Sequence, residues 1–566
     1  MRKRLIDDIS YSKWALVQSC LALCFVSVLL NISAIEGFWR WDDPALITHI
    51  RSYSVWQDLF NPAAWQDISP SNFTPWLTLS FRVDLTLVGL KPAFFYLHQV
   101  VAIGASAAAL NVLLALWLPP LYALSSSLLF LFGAPALLVA QQLMTRHYIE
   151  GLFFCLISLF LFVVHLRQSS IVWQIISAIC YFLAILSKEI FFPLFLILFS
   201  IPEKNIYQRV RSSAPHILIA FLYIFWRATM LGSIIGGYTD NGVLLPKIDI
   251  LEVLLSFSNF PNLFFGEYSI YVTAVYLYLM SVFIIRKPYL CFFLVILLVS
   301  ILAPLAPLVR FPGINIADRY LLLPWLVFSV SCGFIANSIF SRFQTPQTLV
   351  LPCLALLASL AIAGSAALSS IETRRSVLAT ARQFDVVGGY LWNEDASTGY
   401  LPSTLISSSF WYVTALNKLK QQVNPNQSSP LVIIDPVFLD TENVDSPERL
   451  MEYNETCHCM RDSEKKTNTL LTEWRENERE DAPLTLNYRY VNNTFSWSFG
   501  PYGDGSYHII SNTLGITEVP RAGSQRVNLD LYEYFILRYT SPEGWTTHST
   551  SQTIHESAEE KLWGRP

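Results

Sequence analysis

The sequence predicts a polytopic α-helical membrane protein with about eleven transmembrane helices and a C-terminal mixed α/β domain outside the membrane. Three observations support this prediction: 53% of the 566 residues are hydrophobic, only 14% are charged, and the long apolar runs are confined to residues 14–368. A soluble protein would carry roughly 25% charged residues. We therefore expect a membrane domain over 1–370, an α/β domain over 371–540 and a flexible tail over 541–566.

Eleven segments are apolar and long enough to be candidate spans, since crossing a bilayer requires about 20 residues. The third segment contains Pro135, and the sixth is short and is expected to tilt or break at Pro193. The predicted spans lie near residues 14–35, 94–117, 120–141, 148–166, 171–187, 190–201, 215–231, 268–285, 289–309, 320–340 and 347–368.

The distribution of basic residues predicts the orientation of the chain. Lys and Arg are concentrated in short loops on one side, which the positive-inside rule assigns to the cytoplasm. The N-terminus is then cytoplasmic and the C-terminal domain extracytoplasmic, in a multi-pass protein of the inner (plasma) membrane. No small-residue cleavage site follows the first apolar run, so that run is expected to stay as an anchor. The basic residues form no stripe, which argues against a nucleic-acid partner.

The long outer loop and the C-terminal domain carry further patterns. Five tryptophans in the loop over 36–93 predict helices lying in the membrane interface. In the C-terminal domain we expect a helix over 373–392 and strands over 431–434 and 531–539. The aromatic residues of a predicted hairpin could form a core or stack on sugar rings; they are Phe495, Trp497, Phe499, Tyr502 and Tyr507.

Two of the nine cysteines lie outside the apolar half, as the sequence Cys457-His458-Cys459. The pair with one histidine lacks a fourth ligand at zinc spacing, which argues against a metal site. Cys457 and Cys459 are then either free thiols or partners in a disulfide.

An acidic pair, Asp42 and Asp43, directly follows the first predicted span. Neighbouring carboxylates repel each other, which raises one pKa and favours a base or a cation site. We favour Asp43 as the base, because Pro44 restricts the backbone before it to non-helical conformations. The alternative interpretation is a solvated start of a loop.

Other charged residues fall at the outer ends of the predicted spans, where they suggest a polar site roofed by the outer loops. Arg and Lys side chains suit a phosphate headgroup, and carboxylates suit deprotonation of a hydroxyl. The combination favours sugar transfer from a polyprenyl-phosphate donor. For individual residues of this group there are two alternatives: an ion pair between two spans, or a side chain that extends to the lipid headgroups. The members are Arg146, His147, Glu150, Lys188, Glu189, Arg227, Glu267, Arg310, Asp318 and Arg319.

These stretches resemble the GT-C class of glycosyltransferases that use lipid-phosphate sugars, and their pattern is most similar to the protein O-mannosyltransferases. The similar stretches are Trp41–Pro44, Leu186–Glu189, Phe225–Gly232 and Asp318–Pro324, within residues 10–370. The resemblance implies that Asp42 or Asp43 is the catalytic base. It also implies that Lys188, Arg227 and Arg319 lie near the donor phosphate.

The chain departs from that family in two respects. The segment Arg146–Glu150 matches the family's His-x-Glu stretch only loosely, so Arg146, His147, Glu150, Glu189 and Asp318 are supporting candidates. The tetratricopeptide repeats of one branch are absent, which leaves a glycan, a lipid or a protein as the acceptor. A divalent cation could bind at Asp42 and Asp43, although no complete ligand set is visible.

Two other functions use the same lipid-linked chemistry. A flippase or transporter of lipid-linked saccharides predicts inverted repeats, broken helices and polar groups near the membrane midplane. A polysaccharide polymerase or ligase of another fold would lack an acidic pair directly after the first span. A third alternative, a non-catalytic assembly protein without this chemistry, predicts spans with few functional charges.

Overall fold

The structure, a computed structural model, contains two compact units, each described here by itself. The membrane unit comprises Met1–Gly37 and Ile50–Ala381, and the C-terminal unit comprises Phe38–His49 and Arg382–Pro566. The described residues are 13–69, 71–234, 250–305, 319–340, 350–394, 398–401, 410–426, 431–432, 449–491, 494–511, 515–526, 534–553 and 558–563.

The described part of the membrane unit is helical. Its first half contains α1 (Lys13–Leu30), α2 (Ile32–Ile35), α3 (Asp43–Ser52, shared with the C-terminal unit), α4 (Val55–Phe60), α5 (Pro62–Ile68), α6 (Pro75–Val88), α7 (Pro92–Leu114), α8 (Pro120–Phe132), α9 (Ala134–Ala140) and α10 (Arg146–Gln168). Its second half contains α11 (Ile171–Ser187), α12 (Leu194–Ser200), α13 (Ile206–Ser212), α14 (Ala214–Leu231), α15 (Ile250–Ser258), α16 (Phe260–Phe265), α17 (Ser269–Arg286), α18 (Pro288–Leu302), α19 (Leu322–Phe340) and the 44-residue α20 (Val350–Asn393), which continues into the C-terminal unit.

Several of these helices are long and apolar enough to cross a membrane, which makes the chain a membrane protein. Within the described residues there are six such helices, or seven if the bent pair α8–α9 forms one span. The first, fifth and sixth predicted spans coincide with shorter apolar helices, and the eleventh falls on α20. The count of eleven therefore stays a prediction. The six are Pro92–Leu114, Leu143–Gln168, Ala214–Leu231, Phe260–Arg286, Pro288–Leu305 and Arg319–Ser338.

Both prolines singled out in the sequence lie at helix breaks. The axis turns by 56° between α8 and α9, with Pro135 in the first turn of α9. There the missing N–H costs nothing, because the first amides of a helix have no internal partner. Pro193 lies at the start of α12, after the 3-10 turn Glu189–Phe191.

Short helices fill the outer loop, as its composition predicted. Ser54 caps α4 through a reciprocal pair of hydrogen bonds with Gln57, and Asn61 caps α5 by accepting from two amides. Such caps satisfy amides that a helix cannot bond internally. The tryptophans differ in role, since Trp65 is buried in the bundle while Trp56 is 71% exposed. Only the exposed kind is available to anchor a helix in an interface.

The described residues of the C-terminal unit form three sheets and two further helices. One sheet has the order β2-β1-β3-β4, and the other two have the orders β11-β10-β7-β8, with β12 beside β10, and β13-β5-β6-β9. The bounds are α21 (Phe410–Val423), α22 (Glu464–Asn477), β1 (Thr398–Leu401), β2 (Leu431–Val432), β3 (Arg449–Asn454), β4 (Cys459–Asp462), β5 (Leu484–Val491), β6 (Thr494–Gly500), β7 (Ser506–Ser511), β8 (Gly515–Val519), β9 (Ala522–Arg526), β10 (Tyr534–Thr540), β11 (Thr546–His548), β12 (Gln552–Thr553) and β13 (Ala558–Trp563).

The second and third sheets form a β-sandwich around a shared aromatic core. Phe495 of β6 meets Phe535 of β10 edge-on, with ring centroids 5.6 Å apart. Four of the five predicted hairpin aromatics lie in this core: Phe495, Trp497, Phe499 and Tyr507 are all buried. The core alternative is thus confirmed for these four, while Tyr502 is only partly buried.

Two expectations for the C-terminal unit are wrong. The predicted hairpin does not form, because β6 pairs with β5 and β9 while β7 pairs with β8 and β10. The segment 541–566, expected to be a flexible tail, contributes β11, β12 and β13. β11 and β12 pair with β10, and β13 pairs with β5. Hydrogen bonds to these neighbouring strands stabilise an extended conformation that the local sequence does not indicate.

Candidate functional site

A group of basic side chains lies around the N-terminus of α10 in the membrane unit. His147 is in the first turn of α10, Lys188 ends α11, and Arg319 opens the 3-10 turn Arg319–Leu321 before α19. His147 is 5% exposed and Lys188 is 8% exposed. The amides at the start of this 23-residue helix add positive potential to that of the side chains. We call His147, Lys188 and Arg319 the cationic cluster.

Two tyrosine rings lie beside the cationic cluster. The Lys188 Nζ atom is 5.3 Å from the centroid of the Tyr148 ring, and the Arg319 guanidinium carbon is 5.3 Å from that of Tyr320. The two rings meet edge-to-face with centroids 6.0 Å apart. Lys188 and Arg319 are close enough to interact electrostatically with each other and with His147. The cluster therefore concentrates positive charge beside the two tyrosine rings.

Two members of this cluster, His147 and Lys188, form few polar contacts with the protein. The His147 imidazole lies by the Met144 carbonyl, yet within the described residues neither ring nitrogen has an aligned hydrogen-bond partner. In the same part of the chain the Lys188 ammonium forms no salt bridge and contacts the face of Tyr148. Glu189 acts on Lys188 only through longer-range electrostatics, and a buried ammonium without a hydrogen bond is costly, so the arrangement favours an anionic ligand.

Arg227 lies near the cationic cluster but is occupied by protein groups. Its Nε donates to Glu189 Oε1 at 2.7 Å, and its two terminal nitrogens donate to the carbonyls of Ser233 at 2.5 Å and Ser71 at 3.2 Å. The same Glu189 oxygen accepts the Phe73 N–H at 2.8 Å. Glu189 thus pairs with Arg227 and fastens the outer loop to α14, which leaves Arg227 few donors for a phosphate.

A second polar network involves Arg146 and Glu150, the charged residues in the first two turns of α10. Arg146 donates to Asp84 Oδ2 at 2.5 Å and to the Phe95 carbonyl at 2.7 Å. His98 bridges two carboxylates, with Nδ1 at 2.9 Å from Asp84 Oδ1 and Nε2 at 3.3 Å from Glu150 Oε1. Glu150 also accepts from the Trp76 indole and the Ser80 hydroxyl, both at 2.8 Å. Arg146 and Glu150 therefore support the start of α10 instead of joining the cationic cluster.

Sequence reasoning missed Asp84 and His98. Burial acts to raise the pKa of Asp84, but the hydrogen bond from His98 and the charges of Arg146 and His98 outweigh it and lower that pKa. The available signal was a single acidic residue in the stretch Phe81–Val88, with a histidine in the helix that follows. Without knowing which helices pack together, that signal does not identify a pair.

The acidic pair belongs to the C-terminal unit. Asp43 is fully buried, and its Oδ2 accepts the Arg40 N–H at 2.9 Å, whereas Asp42 is partly exposed. The helix α3 begins at Asp43 itself, so Pro44 does not hold this residue outside helical structure. Just before the pair, Trp41 has a φ of +46°, an uncommon conformation for a non-glycine residue that often marks functional sites.

Three further expectations have these outcomes. Asp318 and Arg310 lie outside the described residues. The described part of the chain contains no group of three or more His, Cys, Asp or Glu side chains placed to hold a metal ion. Cys457 and Cys459 form a disulfide at the turn between β3 and β4.

In comparisons with known proteins, no family model and no curated sequence matches the chain.

Proposed function

We propose that the protein is a membrane glycosyltransferase that moves a sugar from a polyprenyl-phosphate donor to a hydroxyl of an extracytoplasmic glycan, lipid or protein. The observation that supports the proposal is the cationic cluster. In the described chain the buried Lys188 ammonium has no hydrogen bond or salt bridge and only the longer-range charge of Glu189 beside it, and neither ring nitrogen of the buried His147 has an aligned hydrogen-bond partner. A phosphate there would receive charge-assisted hydrogen bonds and the favourable end of the α10 dipole.

The proposed reaction is a displacement at the anomeric carbon of the donor sugar. A carboxylate of the acidic pair removes the proton of the acceptor hydroxyl, whose oxygen then bonds to the anomeric carbon. The bond from that carbon to the phosphate oxygen breaks, and the phosphate leaves with the electron pair. Lys188 and Arg319 stabilise the charge that develops on this leaving group. Arg227 contributes through its nearby charge, since its donors are engaged by protein groups.

Asp42 is the better candidate for the base. Its side chain is partly exposed, whereas Asp43 is fully buried and bonded to the Arg40 amide. A base must come within hydrogen-bond reach of the proton that it removes, which requires access. The uncommon backbone of Trp41 immediately before it fits a residue held for function.

We also propose that the C-terminal unit is extracytoplasmic. The disulfide between Cys457 and Cys459 supports this side, because disulfides persist in oxidising compartments and are rare in the cytosol. The inner (plasma) membrane and the cytoplasmic N-terminus follow from the loop charges described above.

A transporter of lipid-linked saccharides is the second candidate. The 56° bend between α8 and α9 favours it, since broken helices are common in transporters. Such a protein would bind the same phosphate at the cationic cluster but would leave the sugar–phosphate bond intact. A product assay therefore separates the two functions.

Binding of farnesyl phosphate by the purified full-length protein tests the anion site, with farnesol as the uncharged comparator. Lys188→Ala should weaken farnesyl phosphate binding by at least ~10-fold, because each charge-assisted contact contributes about 1.5–3 kcal/mol. Lys287→Ala, which removes an exposed lysine at the end of α17, is the matched control. Equal binding of farnesol and farnesyl phosphate, or equal losses in the two variants, would refute the site.

A second measurement tests the transfer itself. The protein in proteoliposomes is given a radiolabelled polyprenyl-phosphate mannose or glucose, and release of the sugar to water or an acceptor is followed. Sugar release that requires Lys188 and Asp42 supports the transferase. Movement of the intact lipid-linked sugar between leaflets, without release, would favour the transporter instead.

A further inference from the structure

Two aromatic side chains lie partly exposed at one end of the β-sandwich. Tyr502 is in the loop between β6 and β7, and Trp545 is in the turn between β10 and β11. Tyr502 stacks on the buried Tyr539, with centroids 4.4 Å apart and ring planes 21° from parallel. Trp545 meets Tyr502 edge-on at 5.4 Å. The two rings thus form a surface that is backed by the core.

The loop that carries Tyr502 is held in one shape. The Tyr507 hydroxyl donates to the Tyr502 carbonyl at 3.0 Å, and the Tyr539 hydroxyl donates to the Asp504 carbonyl. Gly505 has a φ of +99°, and a Cβ there would lie 2.4 Å from the Thr540 carbonyl oxygen, so only glycine fits. A loop ordered before binding loses little further entropy when a ligand arrives.

Charged side chains surround these rings. The Arg479 guanidinium carbon lies 4.6 Å from the centroid of Trp545, and Asp481 acts electrostatically on Tyr502. Asp504 and Glu543 act in the same way on Tyr539. All four charged residues are exposed. Carboxylates and a guanidinium each offer two hydrogen-bonding atoms at a spacing that matches neighbouring sugar hydroxyls.

We propose that this surface, defined by Tyr502, Trp545, Arg479 and Asp481, binds a neutral hexopyranose glycan. A pyranose has an apolar C–H face that packs on an aromatic ring and a polar rim that needs hydrogen-bond partners. The partly exposed rings supply the first requirement and the charged residues supply the second. A second guanidinium, that of the exposed Arg521, lies beside Gly500 and Gly503 of the same loop. Three carboxylates against two guanidiniums still leave a negative balance, which disfavours an acidic glycan.

The inference does not depend on the proposed transferase activity. The surface lies wholly within the C-terminal unit, and binding can be measured without any donor lipid. Loss of transfer without loss of glycan binding would therefore overturn the proposed function and leave this inference standing.

Titration calorimetry on the full-length protein in detergent tests the proposal, with maltohexaose, cellohexaose and mannohexaose as probes. We expect saturable binding of at least one of them, and weaker binding of hexagalacturonic acid. Tyr502→Ala and Trp545→Ala should each weaken binding by at least ~10-fold, since buried aromatic contacts dominate such interfaces. Asp481→Asn changes an exposed position and should weaken binding severalfold without lowering the melting temperature.

Tyr490→Ala is the matched control. Tyr490 is a partly buried tyrosine that packs on the same core, but its partner across the strands is Phe495, at the opposite end of β6 from Gly500. This variant should bind glycan like the wild type. Absence of binding by all three neutral hexasaccharides at millimolar concentration, or equal losses in Tyr490→Ala and Asp481→Asn, would overturn the proposal. Tighter binding of hexagalacturonic acid would also overturn it.

Discussion

Arg40 and Asp385, 345 positions apart in the chain, form a bidentate salt bridge in the C-terminal unit. The Arg40 Nε atom lies 2.7 Å from Asp385 Oδ1, and a terminal nitrogen lies 2.6 Å from Oδ2. Asp385 Oδ1 also accepts the Phe38 N–H at 2.8 Å. Because Asp42 follows two residues after Arg40, this bond ties the segment before the acidic pair to the last turns of α20.

Loss of the Asp385 carboxylate should therefore impair chemistry and leave donor binding intact. Asp385→Asn strands the guanidinium of Arg40, a residue 1% exposed, and breaking such a pair costs about 3 kcal/mol or more. We expect transfer to fall by at least ~10-fold, with farnesyl phosphate binding unchanged. Unchanged transfer in a stably folded Asp385→Asn protein would contradict this role.

Truncation after Ile371 should separate the same two properties. The truncated chain keeps the cationic cluster and should still bind farnesyl phosphate. It lacks Asp385, so the acidic segment loses its anchor, and transfer should disappear. A folded truncated protein that cannot bind farnesyl phosphate would show that the C-terminal unit helps to build the donor site.

Asparagine substitutions should distinguish the two members of the acidic pair. Asp42→Asn keeps the shape of the side chain but removes the base, so transfer should fall about 10²–10⁴-fold with little change in melting temperature. Asp43→Asn should lower the melting temperature as well, because Asp43 is fully buried and bonded to the Arg40 amide. Normal turnover by both variants would mean that the pair is only a feature of the loop.

Arg319 and Arg227 should respond differently to substitution. Arg319→Ala should weaken farnesyl phosphate binding, and Arg319→Lys should restore it only in part, since an ammonium cannot reproduce the bidentate fork. Arg227→Ala should chiefly lower thermal stability, because it removes the partner of Glu189, of the outer-loop carbonyl of Ser71 and of the Ser233 carbonyl that follows α14. Equal effects of the two alanine variants on binding, without a stability difference, would contradict this assignment.

The Asp84 network should make the protein sensitive to acid. The pKa of Asp84 is lowered in the fold, so its contribution is complete above its usual value of 3.8 and is lost as the pH falls below it. Asp84→Asn should reduce stability at neutral pH, where Arg146 loses its carboxylate partner, and should flatten the stability loss between pH 4 and lower values. Melting curves of both proteins across this range measure the effect.

Reporter fusions test the orientation. A reporter active only outside the cytoplasm should work when it is fused after Thr373 and fail when it is fused after Arg342. The disulfide adds an independent check, since Cys457 and Cys459 should resist alkylation until a reductant is added. The reverse pattern of reporter activity would place the cationic cluster on the cytoplasmic side.

Sequence patterns predicted the features that arise from local chemistry. The apolar runs, the break at Pro193 and the strand around 534–540 all follow from residues close together in the chain. The failed hairpin depended on distant partners, since β6 and β7 are joined by a turn yet pair with different strands. Pairing over long distances is decided by the core that the strands share, which local alternation does not specify.

In the candidate site, too, local chemistry predicted some residues, while other contacts depend on distant partners. Lys188, His147 and Arg319 were singled out by their charge at helix ends, and the structure describes them in electrostatic contact. The Arg227–Glu189 pair and the Asp84–His98 contacts depend on which helices are neighbours. Membership of the acidic pair in the C-terminal unit depends on Asp385, hundreds of residues away, and no local pattern indicates it.

The composition of the C-terminal unit has a consequence for biosynthesis. Residues Phe38–His49 are synthesised early, but the rest of their unit begins at Arg382. More than 300 further residues must therefore be synthesised before this segment can pack. At about 5–20 residues per second the delay is on the order of half a minute. During this delay Arg40 and the acidic pair that follows it lack the Asp385 carboxylate, so a chaperone that shields the segment would raise the yield of folded protein.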